Sequence, residues 1–126
     1  QEGISYHWIL SEGSKAGFIA PGPSPEDESV HQLHKFYLFP PRQNLGIGSS
    51  AMNLLIDRLS SSGSTRIELR VNRNNPRAIA FYRKNDFEVY AEDCRDIGGG
   101  FVMDDFLMRR SFPAARDAPK SGKTIR

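Results

Sequence analysis

Apolar residues in this chain recur with two different spacings, and the alternation between them predicts most of the secondary structure. Ile4–Leu10 is rich in aromatic and β-branched groups and reads as a strand. Glu12-Gly13 breaks it in the manner of a hairpin, and Lys15–Ala20 returns as a second strand. Pro21-Gly22-Pro23-Ser24-Pro25 and the acids Glu26-Asp27-Glu28 then read as a loop. Gln32–Phe39 is the third and most apolar strand, ended by Pro40-Pro41. Over Gly46–Ser61 the period changes. Ala51, Leu55 and Leu59 recur at four-residue intervals with Met52 and Ile56 beside them, the signature of an amphipathic helix stopped near Gly63. Thr65–Val71 alternates Ile67, Leu69 and Val71 with Glu68 and Arg70, a strand again. Asn75–Lys84 carries a capping Asn, a proline for the first turn and two cations at the negative end, so it is a short helix. Phe87–Glu92 and Val102–Met108 are two last strands around Gly98-Gly99-Gly100.

The resulting order, β-β-β-α-β-α-β-β, describes an α/β (α+β) domain with antiparallel hairpins at both ends and a β-α-β unit between them. At 126 residues the chain is one domain in size. Residues 1–110 form its body, and residues 111–126 read as a basic tail. No run is apolar and long enough to cross a bilayer as a helix, and no signal peptide is visible. The single cysteine, Cys94, excludes a disulfide framework and a cysteine-built zinc site, so no metal is expected and the expected compartment is the reducing cytoplasm. The formal charge of +2 is an uneven sum. Residues 109–126 contribute +5 and residues 1–108 contribute −3. No basic patch with interleaved aromatics marks a nucleic-acid site in the acidic body.

The chemistry centres on Gln43-Asn44-Leu45-Gly46-Ile47-Gly48-Ser49, between the most apolar strand and the first helix. Small residues at a helix start let several backbone N–H groups point at one spot, where the helix adds about half a positive charge. Such a place binds phosphate without a lysine; a glycine turn made for close packing is the plainer reading. A P-loop is excluded, because Ser49-Ser50 follows Gly48 where Lys-Ser/Thr is required. Gly46-Ile47-Gly48-Ser49-Ser50-Ala51 matches the dinucleotide fingerprint. However, Pro40–Leu45 intervene after the strand, and Glu68 sits inside its strand rather than at its end.

Residues 33–49 closely resemble the central strand and loop of the GNAT acetyltransferases, whose Q/R-x-x-G-x-G/A motif is met by Gln43, Gly46 and Gly48. Ile67–Val71 followed by Asn75, Ala78, Phe81-Tyr82 and Phe87 resembles the family's next strand and helix, and Asp96–Phe106 its last hairpin in a bacterial small-molecule branch. The resemblance covers about residues 4–110. It implies a mixed, mostly antiparallel sheet with a splayed central strand pair. It also implies acetyl-CoA as acyl donor: backbone amides from Gln43, Asn44, Leu45, Gly46, Ile47, Gly48 and Ser49 on the pyrophosphate, the Leu38 backbone on the pantetheine like an added strand, Asn75 on the same arm, and Ala78 giving it room. Tyr82 would protonate the departing thiolate. Asp86 stands where the family usually has Gly, so Asn85 or Asp86 must adopt a left-handed conformation.

The implied reaction is attack of a neutral primary amine on the thioester. Glu68, His34 and His7 are candidates to take the amine's proton, although a structural role is the plainer reading of each. Arg70 stands where the branch that modifies protein N-termini often has Glu, which argues against that branch. Glu26-Asp27-Glu28, Glu92-Asp93, Asp96 and Asp104-Asp105 would draw in a small cationic amine such as a polyamine. A coenzyme A-binding module without transfer and, more remotely, a dinucleotide-binding oxidoreductase are the rival readings. The resemblance begins near the family's second strand, without the strand and two helices with which such domains open. A homo-oligomer, or a partner segment, is therefore expected to cover the wall around Ile4, Tyr6 and Trp8.

Overall fold

A computed structural model describes residues 3–40 and 46–115. Its elements run β1 (His7–Ser11), β2 (Ser14–Pro23), β3 (Val30–Leu38), α1 (Ile47–Ser61), β4 (Arg66–Asn72), α2 (Pro76–Lys84), β5 (Glu88–Gly98) and β6 (Phe101–Ser111). This is the order expected from the sequence. The chain divides into two compact units, one built from residues up to Ile67 together with those from Ser111 onward, the other Glu68–Arg110.

In the first unit the strand order is β1-β2-β3, with both pairs antiparallel. Glu12 and Gly13 make the β1–β2 turn with φ of 52° and 82°, the left-handed pair that a tight hairpin uses. Strand β2 is longer than the sequence suggests. Pro21, Gly22 and Pro23, expected in a loop, pair with Leu33, Gln32 and His31. The prolines are tolerated because a register shift separates Ala20 from Pro21, and because β1 pairs with β2 only as far as Ile19. Beyond that point residues 3–5 run beside β2, and the Ser5 N–H donates to the Pro21 carbonyl (3.1 Å), a bond that uses the proline's acceptor and not its missing donor. Gly17 is indispensable in this sheet: a Cβ there would sit 2.0 Å from the Tyr37 carbonyl oxygen and 2.8 Å from the Leu38 Cα.

Helix α1 buries Gly48, Met52, Ile56 and Leu59. The expected stripe through Ala51, Leu55 and Leu59 is thus turned by about one residue. Ala51 and Leu55 are only half-buried and, with Leu54, line an open groove of about 460 Å3 against β1 and β2. The first residues of the expected tail are tied down. Phe112 donates its N–H to the Thr65 carbonyl (2.9 Å), the Ser60 hydroxyl donates to the Pro113 carbonyl (2.7 Å), and Ala114 is buried.

In the second unit the strand order is β4-β6-β5. Leu69, Val71, Phe87 and Met108 form its apolar centre. The β5–β6 hairpin is longer than the alternation alone predicts, and Gly98, Gly99 and Gly100 all have positive φ at its tip. Arginines lace its strands together. Arg70 reaches Asp93 (2.7 Å) and Asp105 (3.3 Å); Arg73 reaches Asp104 (3.0 Å) and Glu92 while its guanidinium lies 4.3 Å from the Phe106 ring centre. Among the described residues no helix is long and apolar enough to cross a membrane.

Candidate active site

The two helix N-termini carry most of the residues singled out from the sequence. Helix α1 begins after Gly46, whose φ of 78° is left-handed and suits glycine. Gly46 itself offers no capping side chain, and the first turn holds no acid. The first N–H groups of a helix have no intrahelical partner. At α1 these include the N–H groups of Ile47 and Gly48, two residues predicted to touch phosphate. Gly48 is buried, so the chain passes closely over its own unit there. Leu38 closes β3 and pairs with Gly17, and the next residue, Phe39, donates its N–H to the Ala16 carbonyl (2.8 Å). Gln43, Asn44 and Leu45 lie outside the described residues.

Helix α2 starts differently. Asn75 is its N-cap, and its side-chain oxygen accepts from the Ala78 N–H (3.2 Å), with Pro76 in the first turn. The cap occupies the Asn75 carbonyl oxygen and leaves its NH2 end as the group that can meet a ligand. Asn75, Ala78 and Tyr82 follow at three- and four-residue spacing, so they share one side of the helix. Tyr82 packs edge-on between Phe81 and Phe87, with ring centres 5.4 and 5.5 Å away. Burial pushes its hydroxyl up to about 12, because the phenolate would lose its hydration there. Tyr82 is therefore a neutral donor throughout the physiological range. The turn after α2 holds it in place. Asp86 takes the left-handed conformation at φ 70°, and Phe87 donates its N–H back to the Tyr82 carbonyl (3.0 Å).

Six of the eight acids expected to attract an amine are engaged in bonds. Asp93 is held below the usual carboxylate range by Arg95 and Arg70, and Asp27 by the Ser29 hydroxyl and N–H. Glu92, Asp104 and Asp105 pair with Arg73 and Arg70, and Asp96 accepts from the Gly98 N–H (2.8 Å). Paired carboxylates project little field. Arg70, weighed at the position of a catalytic Glu, is a strand-binding residue.

One polar pair escaped the sequence reading. The Ser64 hydroxyl, almost fully buried, donates to the Ser29 carbonyl (2.9 Å) and so accepts from Nδ1–H of His31 (3.1 Å). Burial lowers the His31 pKa. With its hydroxyl proton already committed, Ser64 is a structural clasp of the first unit. No spacing in the sequence marks two residues 33 positions apart as partners.

Residues 1–87 match the model of the Acetyltransferase (GNAT) family. The chain belongs to the GNAT acetyltransferases. Solved structures agree on the fold. The ribosomal-protein-S18-alanine N-acetyltransferase of Escherichia coli superposes with a TM-score of 0.73 at 22% identity, over 91% of this chain and 73% of that one. The PaiA N-acetyltransferase of Thermoplasma acidophilum, in complex with coenzyme A, gives 0.70 at 24% identity over 87% and 62%. A Bacillus subtilis acetyltransferase, also with CoA, gives 0.72 at 14% identity over 88% and 78%. As a GNAT enzyme the chain is an acyl-CoA-dependent N-acetyltransferase, and the dinucleotide reading of its glycine loop falls away.

Proposed function

We propose that this GNAT chain moves an acetyl group from acetyl-CoA to a small primary amine. The observation that carries the reading is the start of α1: a left-handed Gly46 with no side chain at the N-cap and no acid in the first turn, following the Q-x-x-G-x-G run from Gln43 to Gly48. An acid-free helix end that starts on glycine favours a phosphate group. In this reading the amides of Gly46, Ile47, Gly48 and Ser49, with those of Gln43, Asn44 and Leu45, take the pyrophosphate. The backbone of Leu38 takes the pantetheine, the Asn75 NH2 donates to the same arm, and Ala78 leaves it space. No metal enters the scheme.

The chemistry follows from proton positions. The neutral amine nitrogen attacks the thioester carbon, the C–S bond breaks, and the Tyr82 hydroxyl gives its proton to the leaving sulfur. The ammonium formed by attack loses its proton to water, and the Tyr82 phenolate is reprotonated from solvent. A hydroxyl pushed up to about 12 suits this role, because it stays protonated where an aliphatic amine, with a pKa of about 10, begins to be neutral. A cationic acceptor such as a polyamine is favoured by the net charge of −3 over residues 1–108 and by the Glu26–Glu28 loop, rather than by the arginine-paired acids of the hairpin. The single cysteine favours a cytoplasmic setting.

Thermal-shift titration tests the donor. Acetyl-CoA raises the melting temperature and NAD leaves it unchanged; the opposite ranking refutes the proposal. Binding of acetyl-CoA with no acetylated product from any of a panel of primary amines would leave a coenzyme A-binding module instead.

A further inference from the structure

Helix α2 has nine residues and buries none of them fully. A helix that short is marginal by itself, so its ends are held by their neighbours. The far end is pinned by Arg110, whose guanidinium donates to the Asn85 carbonyl (3.1 Å). At the near end the turn from β4 is closed internally. Asn72 accepts from the Asn74 N–H with its side chain (2.8 Å) and from the Asn75 N–H with its carbonyl (3.0 Å). These bonds shape the turn without fixing where it points.

Arg73 ties this turn to the β5–β6 hairpin. Its N–H donates to the Asp104 carbonyl (2.9 Å) and its Nε to the Asp104 carboxylate (3.0 Å), while the other end of the guanidinium reaches Glu92. Glu92 is the register partner of Phe106, and Asp104 lies two residues before Phe106, so the three side chains share one face of the hairpin. The guanidinium lies 4.3 Å from the Phe106 ring centre. Two carboxylates and a ring thus receive one planar fork, a geometry that lysine cannot match. The Arg73 side chain stays 37% exposed, and ion pairs at such exposure contribute little to stability. What the socket supplies is direction.

We propose that Arg73 is a positioning residue for acetyl-CoA, acting through Asn75. This rests on the reading that the Asn75 NH2 group meets the pantetheine arm. The cap bond to Ala78 sets which way the Asn75 amide turns, and Arg73, two residues earlier, sets where it stands. Without the guanidinium the turn keeps its internal bonds but loses its hold on the side chains of Asp104 and Glu92. The NH2 group is then no longer kept at one distance from the arm, and a displacement of about 1 Å is enough to lose a directional hydrogen bond. Glu92 and Asp104 accordingly serve the placement of the acyl donor and not the attraction of the amine.

Calorimetric titration of the full chain with acetyl-CoA tests this in a double-mutant cycle with Asn75→Asp, which keeps the cap acceptor and removes the NH2 donor. Arg73→Ala is expected to weaken binding about fivefold or more in the native background and less than about twofold in the Asn75→Asp background. Arg73→Lys, which keeps the charge but not the fork, weakens native binding as well. Arg95→Ala removes an ion pair from the opposite face of the hairpin and leaves binding unchanged. Equal weakening in both backgrounds, unchanged binding in either Arg73 variant, or an equal loss from Arg95→Ala would overturn the inference. A readout without ligand separates it from the acetyl-CoA reading. Exchange of the Ala78 amide proton should speed up about tenfold or more in Arg73→Ala while the β4 amides keep their rates. An Ala78 amide indifferent to Arg73→Ala overturns the positioning itself. A native chain that binds no acetyl-CoA, with Ala78 still responding, overturns the reading of the site and with it the role of Arg73 toward acetyl-CoA.

Discussion

Helices α1 and α2 begin in opposite ways. At α2 the protein satisfies its own helix end: Asn75 accepts from Ala78 and Pro76 removes one donor. At α1 the cap position contributes nothing of the kind: Gly46 offers no side chain and the first turn no carboxylate. A glycine in place of a capping side chain forgoes about a few tenths of a kcal/mol of stability. The omission makes sense where a ligand supplies the missing acceptor. In the proposed reaction α1 contributes backbone and α2 contributes side chains. The first gives affinity for an anion that any sequence of small residues could provide; the second depends on single atoms of Asn75 and Tyr82.

The side-chain role of α2 is tested most forcefully at Tyr82. Tyr82→Phe keeps the ring packing against Phe81 and Phe87 and removes only the hydroxyl. It is expected to lower kcat about 100-fold while leaving the KM for acetyl-CoA nearly unchanged. An equal fall in affinity would make Tyr82 a binding residue. The next largest effect is Ser49→Asp, which puts an acid into the first turn of α1. Calorimetric titration should show CoA binding weakened about tenfold or more, although the acid stabilises the free helix by about 0.5 kcal/mol. Unchanged CoA affinity would mean that α1 does not face the phosphates.

Asn75 separates two roles on one residue. Asn75→Ala loses the cap and lowers stability by about 1 kcal/mol, whereas Asn75→Asp keeps the acceptor and the stability but loses the NH2 donor, raising the KM for acetyl-CoA. The smallest effect is at alkaline pH. Because the folded Tyr82 titrates near 12 and an unfolded tyrosine near 10, its contribution to stability is complete below pH 10 and is lost as pH rises toward 12. Tyr82→Phe should flatten that part of the stability curve, as followed by thermal melts at stepped pH.

Legibility from sequence tracked how local each determinant is. Asn75-Pro76 and Gly46-Ile47-Gly48 speak for themselves, because caps and turns are decided within a few residues, and both helices begin where their sequences say. The run through Pro21–Pro23 misled, since its place in β2 depends on how far β1 extends beside it. The α1 stripe was visible as a period but not as a direction: only packing shows that Met52 and Ile56 are covered while Ala51 and Leu55 flank a groove. The Arg70 and Arg73 pairs and the His31–Ser64 clasp join residues 19 to 35 positions apart, beyond any spacing rule, and they changed the meaning of the acidic loops.

Acetyl transfer is tested most directly by release of free coenzyme A thiol from acetyl-CoA by the purified chain, measured with and without a primary amine. Thiol release is expected to depend on the amine, to rise with pH as the amine loses its proton, and to yield one acetylated amine per thiol. Thiol release that is absent, or that proceeds equally without amine, would contradict it.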